Sequence, residues 1–138
     1  QAGADSLVVH AEACPHLLRA LQLISAAGCT AGVAINPGTS LQTIEEALPF
    51  ADMVLLMTVN PGFGGQKYIP GMTRKISRLL QMLDQLNRPV HLEIDGGLHP
   101  GNIRENYRAG ADMIVVGNAV YGQSDPAAAL RELRQCVM

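Results

Sequence analysis

The chain has 138 residues, of which 48% are hydrophobic and 16% charged, with 14 glycines, 8 prolines and no tryptophan. That composition excludes a disordered or low-complexity chain and is enough for one packed domain. The net charge of -2, from 10 Lys+Arg against 12 Asp+Glu, provides no basic stripe and argues against nucleic acid or an acidic membrane surface as a partner.

In chain order, apolar runs bounded by glycine, proline or asparagine alternate with stretches of i, i+3, i+4 apolar spacing. A strand over 6–11 leads to a helix over 15–27, a strand over 31–35 to a helix over 41–48, and a strand over 53–59 to a helix over 68–86. A strand over 90–94 then precedes a helix over 102–109, and a strand over 113–116 precedes a helix over 126–137. Strands this continuously apolar are covered on both faces, and the alternation calls for a parallel sheet with right-handed crossovers. Five units in 138 residues come to roughly 28 residues each, close to the unit of a (β/α)8 barrel. The expected fold is therefore α/β, either an open doubly wound sheet or a (βα)5 portion of a TIM barrel, in a single domain over 1–138.

Ala4-Asp5, Ala51-Asp52 and Ala111-Asp112 each stand immediately before a predicted strand, and Gly3, Gly28 and Gly110 fall near helix ends. This quasi-repeat reads as loop punctuation without a catalytic role. Cys14, Cys29 and Cys136 form no C-x-x-C pair, so neither a disulfide framework nor a thiolate metal site is indicated and a reducing cytoplasm is expected. The apolar runs are too short to span a membrane and no basic-then-apolar leader opens the chain, which begins with Gln1. An open sheet would leave edges at 7–11 and 113–116, so a homo-oligomer is expected.

In parallel α/β folds ligands meet the chain past the carboxyl ends of strands. After the third predicted strand comes Asn60-Pro61-Gly62-Phe63-Gly64-Gly65-Gln66-Lys67, after the fourth Asp95-Gly96-Gly97, and after the fifth Gly117-Asn118. Glycine permits positive φ and lets backbone N–H groups approach an anion, so three such loops on one rim predict a phosphate pocket; a plain turn is the alternative for any one of them. Lys67 could add charge, although a lysine at a helix start is usually solvated. His91, Glu93 and Asp95 alternate with Leu92 and Ile94, which turns the polar set toward a barrel interior or cleft and makes Asp95 the best general acid/base in the chain. His91, at the opposite end, is read as structural. His10 and Glu12 share the inner face of the first strand by the same parity; they could ligate a metal, but a hydrogen-bonded histidine is the commoner outcome. Met57 reads as core, although thioethers also line substrate pockets.

These motifs resemble the ribulose-phosphate 3-epimerase family, whose near relatives act on allulose 6-phosphate. The resemblance is carried by the stretches 33–39, 56–67, 93–97 and 109–119 and runs the length of the chain. It implies a (β/α)8 barrel of the pentose phosphate pathway that converts D-ribulose 5-phosphate to D-xylulose 5-phosphate. One Asp takes the C3 proton from one face and a second Asp returns one to the other, while a divalent metal (Zn, Fe, Mn or Co) steadies the enediolate. By the same resemblance Asp95 is an acid/base and metal ligand. Gly62, Phe63, Gly64, Gly65, Gly96, Gly97, Gly117 and Asn118 match phosphate-site positions, and Met57 covers the enediolate. Gly117-Asn118 stands where the family usually has Gly-Ser. The chain starts at the family's fourth strand, so three of the four metal ligands and one of the two bases have no counterpart in it. A (βα)5 domain that binds phosphosugars or assembles with a partner, without catalysis, is the alternative.

Overall fold

A computed structural model describes residues 2–138. Five strands, β1 (Ser6–His10), β2 (Thr30–Ile35), β3 (Met53–Met57), β4 (His91–Asp95) and β5 (Met113–Val115), form one sheet in sequential order. Every neighbouring pair is parallel. The helices are α1 (Leu17–Ala26), α2 (Met72–Leu83), α3 (Ile103–Arg108), α4 (Asn118–Tyr121) and α5 (Pro126–Val137). The architecture is the expected (βα)5 portion of a barrel, with β1 and β5 as its two edges.

The alternation along each strand separates the two faces of the sheet. Val33, Ile35, Val54, Leu56, Leu92 and Ile94 pack against Leu21, Ile44, Ile76 and Leu79 of the surrounding helical segments, and all ten are buried. Burying each such side chain contributes about 1.5–3 kcal/mol, so this layer fixes which face of every strand is turned to the helices. The opposite face carries Val8, Gly32, Met53, Leu55, Glu93 and Asp95 in register. A Cβ on Gly32 would stand 2.8 Å from Val8 Cγ2 and 3.4 Å from Met53 Cε, so glycine lets those two larger side chains meet across β2.

Several expected boundaries move; the strand expected over 53–59 ends at Met57 and the helix expected over 15–27 covers Leu17–Ala26. The 41–48 helix is a 3-10 run, Leu41–Phe50, started by the Ser40 side chain accepting from the Gln42 amide and ending around Pro49. Proline has no amide hydrogen and its ring crowds the carbonyl four residues back, so a regular α-helix cannot run through it. The 68–86 helix begins only at Met72, because Gly71 sits at φ 88 before it, and it ends at Leu83. The first strand stops at His10, and Ala11–Ala13 is a 3-10 turn, so strand parity does not reach Glu12. Among the described residues no helix is long and apolar enough to cross a membrane.

Candidate functional site

The carboxyl ends of β3, β4 and β5 are tied together by backbone and side-chain hydrogen bonds. Thr58, fully buried just past β3, donates its amide to Asp95 O at 2.8 Å and its hydroxyl to Gly96 O, and its carbonyl accepts the Ile69 amide at 3.0 Å. One residue thereby fixes the end of β4 and the return of the 60–67 loop. That loop is laced from within, because Gln66 Nε2 donates to Asn60 O at 2.6 Å and Phe63 O at 2.9 Å.

Gly96 and Gly97 adopt φ 120 and φ 68. A Cβ on Gly97 would lie 2.6 Å from Tyr68 Cα and one on Gly96 2.8 Å from Val59 Cγ1, so both positions need glycine for space as well as for φ. Tyr68 is held in place by a buried polar cluster that sequence reasoning missed. Its hydroxyl donates to Asn106 Oδ1, which also accepts from Thr73 Oγ1 at 3.2 Å, while Asn106 Nδ2 donates to Asn102 O. Asn106 is fully buried. An isolated asparagine in a helix carries no signal of such a role, because its three partners converge only in the fold.

Asp95 and Met57, paired across the β4–β3 ladder, line a cavity of about 1180 Å³. Gly62, Phe63, Gly64, Gly65, Lys67, Gly96, Gly97, Gly117 and Asn118 line the same cavity. The structure thus brings every residue singled out on the three glycine loops to one place. The amides of Gly64, Gly65, Gly97 and Gly117 donate to no backbone or side-chain acceptor among the described residues, and unsatisfied N–H groups lining a cavity suit an anion. The far wall, unanticipated, is made by 123–125 and the Ala128, Ala129 and Glu132 side of α5.

Burial pushes the Asp95 carboxyl above the usual range. Glu93, two residues back on the same face, is raised by burial first and then by the charges of Asp95 and Asp112. A carboxyl with a raised proton affinity beside a cavity is suited to exchange protons nearer neutral pH.

His10 and Glu12 belong to a different part of the rim. Glu12 Oε1 accepts the Asn36 amide at 2.7 Å and the Thr39 hydroxyl, and Oε2 pairs with His10 Nδ1 at 3.1 Å. Burial alone would raise the Glu12 carboxyl, but these hydrogen bonds and its own amide outweigh it and hold it at about 2. Lys75 Nζ donates to the carbonyls of Asn36 (3.2 Å), Pro37 (2.9 Å) and Thr39. The 36–39 loop is therefore gripped by a carboxylate on its donors and an ammonium on its carbonyls. His10 and Glu12 are hydrogen-bonding residues here. His91 pairs with Asp112 at 2.9 Å at the amino ends of the strands, the structural role expected for it.

Fold and cavity together define a parallel α/β chain of the barrel type with its polar site at the carboxyl ends of the strands. Solved structures of 3-hexulose-6-phosphate synthase (25% identity, TM-score 0.67, 99% of this chain and 63% of that one) and Sulfolobus solfataricus orotidine 5'-monophosphate decarboxylase (14%, 0.68, 97% and 61%) share the fold. The sequence profile of the Ribulose-phosphate 3 epimerase family matches residues 1–121, and the chain belongs to that family. Ribulose-phosphate 3-epimerase of Aquifex aeolicus is 49% identical over 138 residues, all of this chain and 62% of that one. Its Bacillus subtilis counterpart is 50% identical over 135 residues, 97% of this chain and 62% of that one. The chain thus spans about three-fifths of the length of these relatives.

Proposed function

We propose that these 138 residues supply the phosphate-binding half and one acid/base carboxylate of a ribulose-phosphate 3-epimerase. The single observation that supports this reading best is the convergence on one cavity of four free backbone amides with the half-buried Asp95. In this reading the phosphate of ribulose 5-phosphate, or of allulose 6-phosphate, accepts hydrogen bonds from the amides of Gly64, Gly65, Gly97, Gly117 and Asn118. Gly62, Phe63 and Gly96 shape the loops around it, and Lys67, exposed at the cavity wall, adds positive charge. Asp95 exchanges the proton on one face of C3, and Met57 packs over the planar intermediate.

Inversion at C3 requires a proton donor on the opposite face as well; by the family resemblance that group is a second Asp in the part of the family's chain these residues do not span, and the other carboxylate and imidazole side chains on this cavity's wall are His99, Asp125 and Glu132. Each positioned acid or base typically contributes about 10²–10⁴ in rate. The 138 residues alone therefore bind the phosphosugar and leave it essentially unturned, and the second group comes from the part of the family's chain they do not span. The divalent metal implied by the family does not fit the side chains present. Among the described residues no three His, Cys, Asp or Glu groups converge, and Glu12 is committed to the 36–39 loop. Asp95 alone would be one ligand, so no step is drawn through a metal.

The test is a titration of the 15N-labelled chain with inorganic phosphate and ribulose 5-phosphate, beside a turnover assay with an Asp95→Asn control. Shifts confined to amides 64, 65, 97, 117 and 118, with no turnover, are expected. Shifts elsewhere with these amides silent would sink the phosphate assignment. Turnover abolished by Asp95→Asn would place a second base within this chain.

A further inference from the structure

The two glycine loops beside Asp95 meet backbone to backbone. A Cβ on Gly97 would stand 2.2 Å from the Tyr68 nitrogen and 2.9 Å from the Lys67 carbonyl carbon, so the second loop passes directly over the first. Van der Waals contact has no direction and leaves such a meeting point free to slide. Hydrogen bonds supply the direction. Gly97 O accepts from Asn102 Nδ2 at 3.1 Å, Asn102 O accepts from Asn106 Nδ2 at 3.0 Å, and Asn106 Oδ1 accepts the Tyr68 hydroxyl. The path returns to Gly97 through the Tyr68 backbone, so one closed circuit joins the 60–68 stretch to the 96–102 stretch.

Asn106, in α3, is the fully buried member of that circuit and lies behind the cavity wall, of which Tyr68 and Gly97 are part. It uses both ends of its amide, the oxygen also accepting from Thr73 Oγ1 at 3.2 Å on α2. A buried amide is costly unless its partners are present, so the fold holds Asn106 and its partners in one arrangement. On one side Asn102 carries the pull into the 96–102 stretch, its Oδ1 accepting the His99 amide at 2.9 Å and its own amide donating to His99 O at 3.0 Å. On the other side Tyr68 is followed by Ile69, whose amide donates to Thr58 O at 3.0 Å just past β3.

We propose that Asn106 is a positioning residue for the anion site, holding the amides of Gly64 and Gly65 at a fixed offset from that of Gly97 so that one phosphate meets both loops at once. The inference rests on the phosphate reading of the cavity given above. An anion bound by donors on two loops loses affinity when the loops drift, because approach to one set of donors then costs contact with the other. An asparagine that is only structural predicts a different outcome: stability falls while affinity is unchanged in the molecules that stay folded.

The test measures inorganic phosphate binding and amide hydrogen exchange by NMR on the 15N-labelled chain and its variants. Asn106→Leu is expected to weaken phosphate binding about tenfold, and Tyr68→Phe, which keeps the ring and loses only the hydroxyl, about threefold. The double variant binds no more weakly than Asn106→Leu alone, since both break one link. Leu21→Ala, in the fully buried contact of α1 with the sheet, lowers stability but leaves phosphate affinity within about twofold of the parent. Unchanged affinity in a folded Asn106→Leu, or an equal loss in Leu21→Ala, would overturn the proposal; where Asn106→Leu does not fold, Tyr68→Phe decides by the same criterion. Without phosphate, Asn106→Leu speeds exchange of the Ile69 and His99 amides together, each about tenfold or more. Acceleration at only one of the two means that Asn106 does not couple the loops. A parent chain that ignores phosphate would overturn the phosphate reading and with it the ligand assigned here, and the exchange result then decides by itself whether the coupling exists.

Discussion

Two consecutive strands end in the same tripeptide, Asn36-Pro37-Gly38 after β2 and Asn60-Pro61-Gly62 after β3, yet the two loops have opposite fates. The first is closed: Glu12 takes its donors and Lys75 its carbonyls, while the Asn36 side-chain oxygen stays buried without a partner among the described residues. The second is held by its own Gln66, stays exposed, and keeps the amides of Gly64 and Gly65 free beside Asp95. The difference teaches that an Asn-Pro-Gly turn does not make a binding loop. What decides is whether neighbouring elements spend its polar groups.

The most disruptive way to break the open side is Gly97→Ala, which forces a Cβ to within 2.6 Å of Tyr68 Cα at φ 68. A loss of about 3 kcal/mol or more in denaturant unfolding is expected, together with loss of phosphate binding. Gly64→Ala is its control, since a Cβ there meets nothing within 4 Å. Stability within about 0.5 kcal/mol of the parent is expected, and an equal loss in both variants would show that glycine is not needed for close approach at 97.

On the closed side, Lys75→Met removes the donor to three carbonyls and should cost about 2–3 kcal/mol. Adding Glu12→Gln should cost less than its effect in the parent, because the loop it grips is already loosened; strict additivity in a double-mutant cycle would show that the two charges do not act on one loop.

The grip of Glu12 on the 36–39 loop also has a pH signature. Glu12 is held at about 2 in the fold against 4.5 for the free side chain, so the folded state binds this proton less well than the unfolded chain does. The resulting stability is complete above about pH 4.5 and is lost as pH falls toward 2. The acid limb of a stability–pH curve should flatten in Glu12→Gln, and an unchanged limb would remove Glu12 from the account.

The smallest effect concerns Asp95, whose carboxyl is raised by burial. Its ionised form therefore opposes folding above its folded-state pKa, and the penalty disappears on acidification. Asp95→Asn is expected to raise the melting temperature slightly at pH 7 and to change it little at pH 3. A fall at pH 7 would indicate that the ionised carboxylate is stabilised by the site.

Much of this organisation was legible in the chain. Apolar runs bounded by glycine, proline or asparagine marked all five strands, although the expected cover on both faces is not met at the edge strands β1 and β5, where Leu7, Val8, Met113 and Val115 are exposed; the parity of His91, Glu93 and Asp95 placed them on one face. The glycine loops were also visible, since the rarity of positive φ in other residues makes glycine informative. Parity failed at Glu12 for a local reason, the turn at Ala11–Ala13 that ends the strand before it.

What sequence could not supply were the partnerships between distant segments. Glu12 meets Asn36 and Thr39, Lys75 reaches back to the same loop, and Tyr68 finds Asn106 across sequence separations of 24 to 39 residues. Periodicity and turn chemistry report how a segment lies relative to an average core, which is a local quantity. Which polar atom answers which depends on the strand order and register of the finished sheet, and only tertiary structure sets that. The strands, their faces and the glycine loops thus came from the amino-acid sequence, whereas the closing of one Asn-Pro-Gly loop and the opening of the other were decided by the packing that brings distant segments side by side.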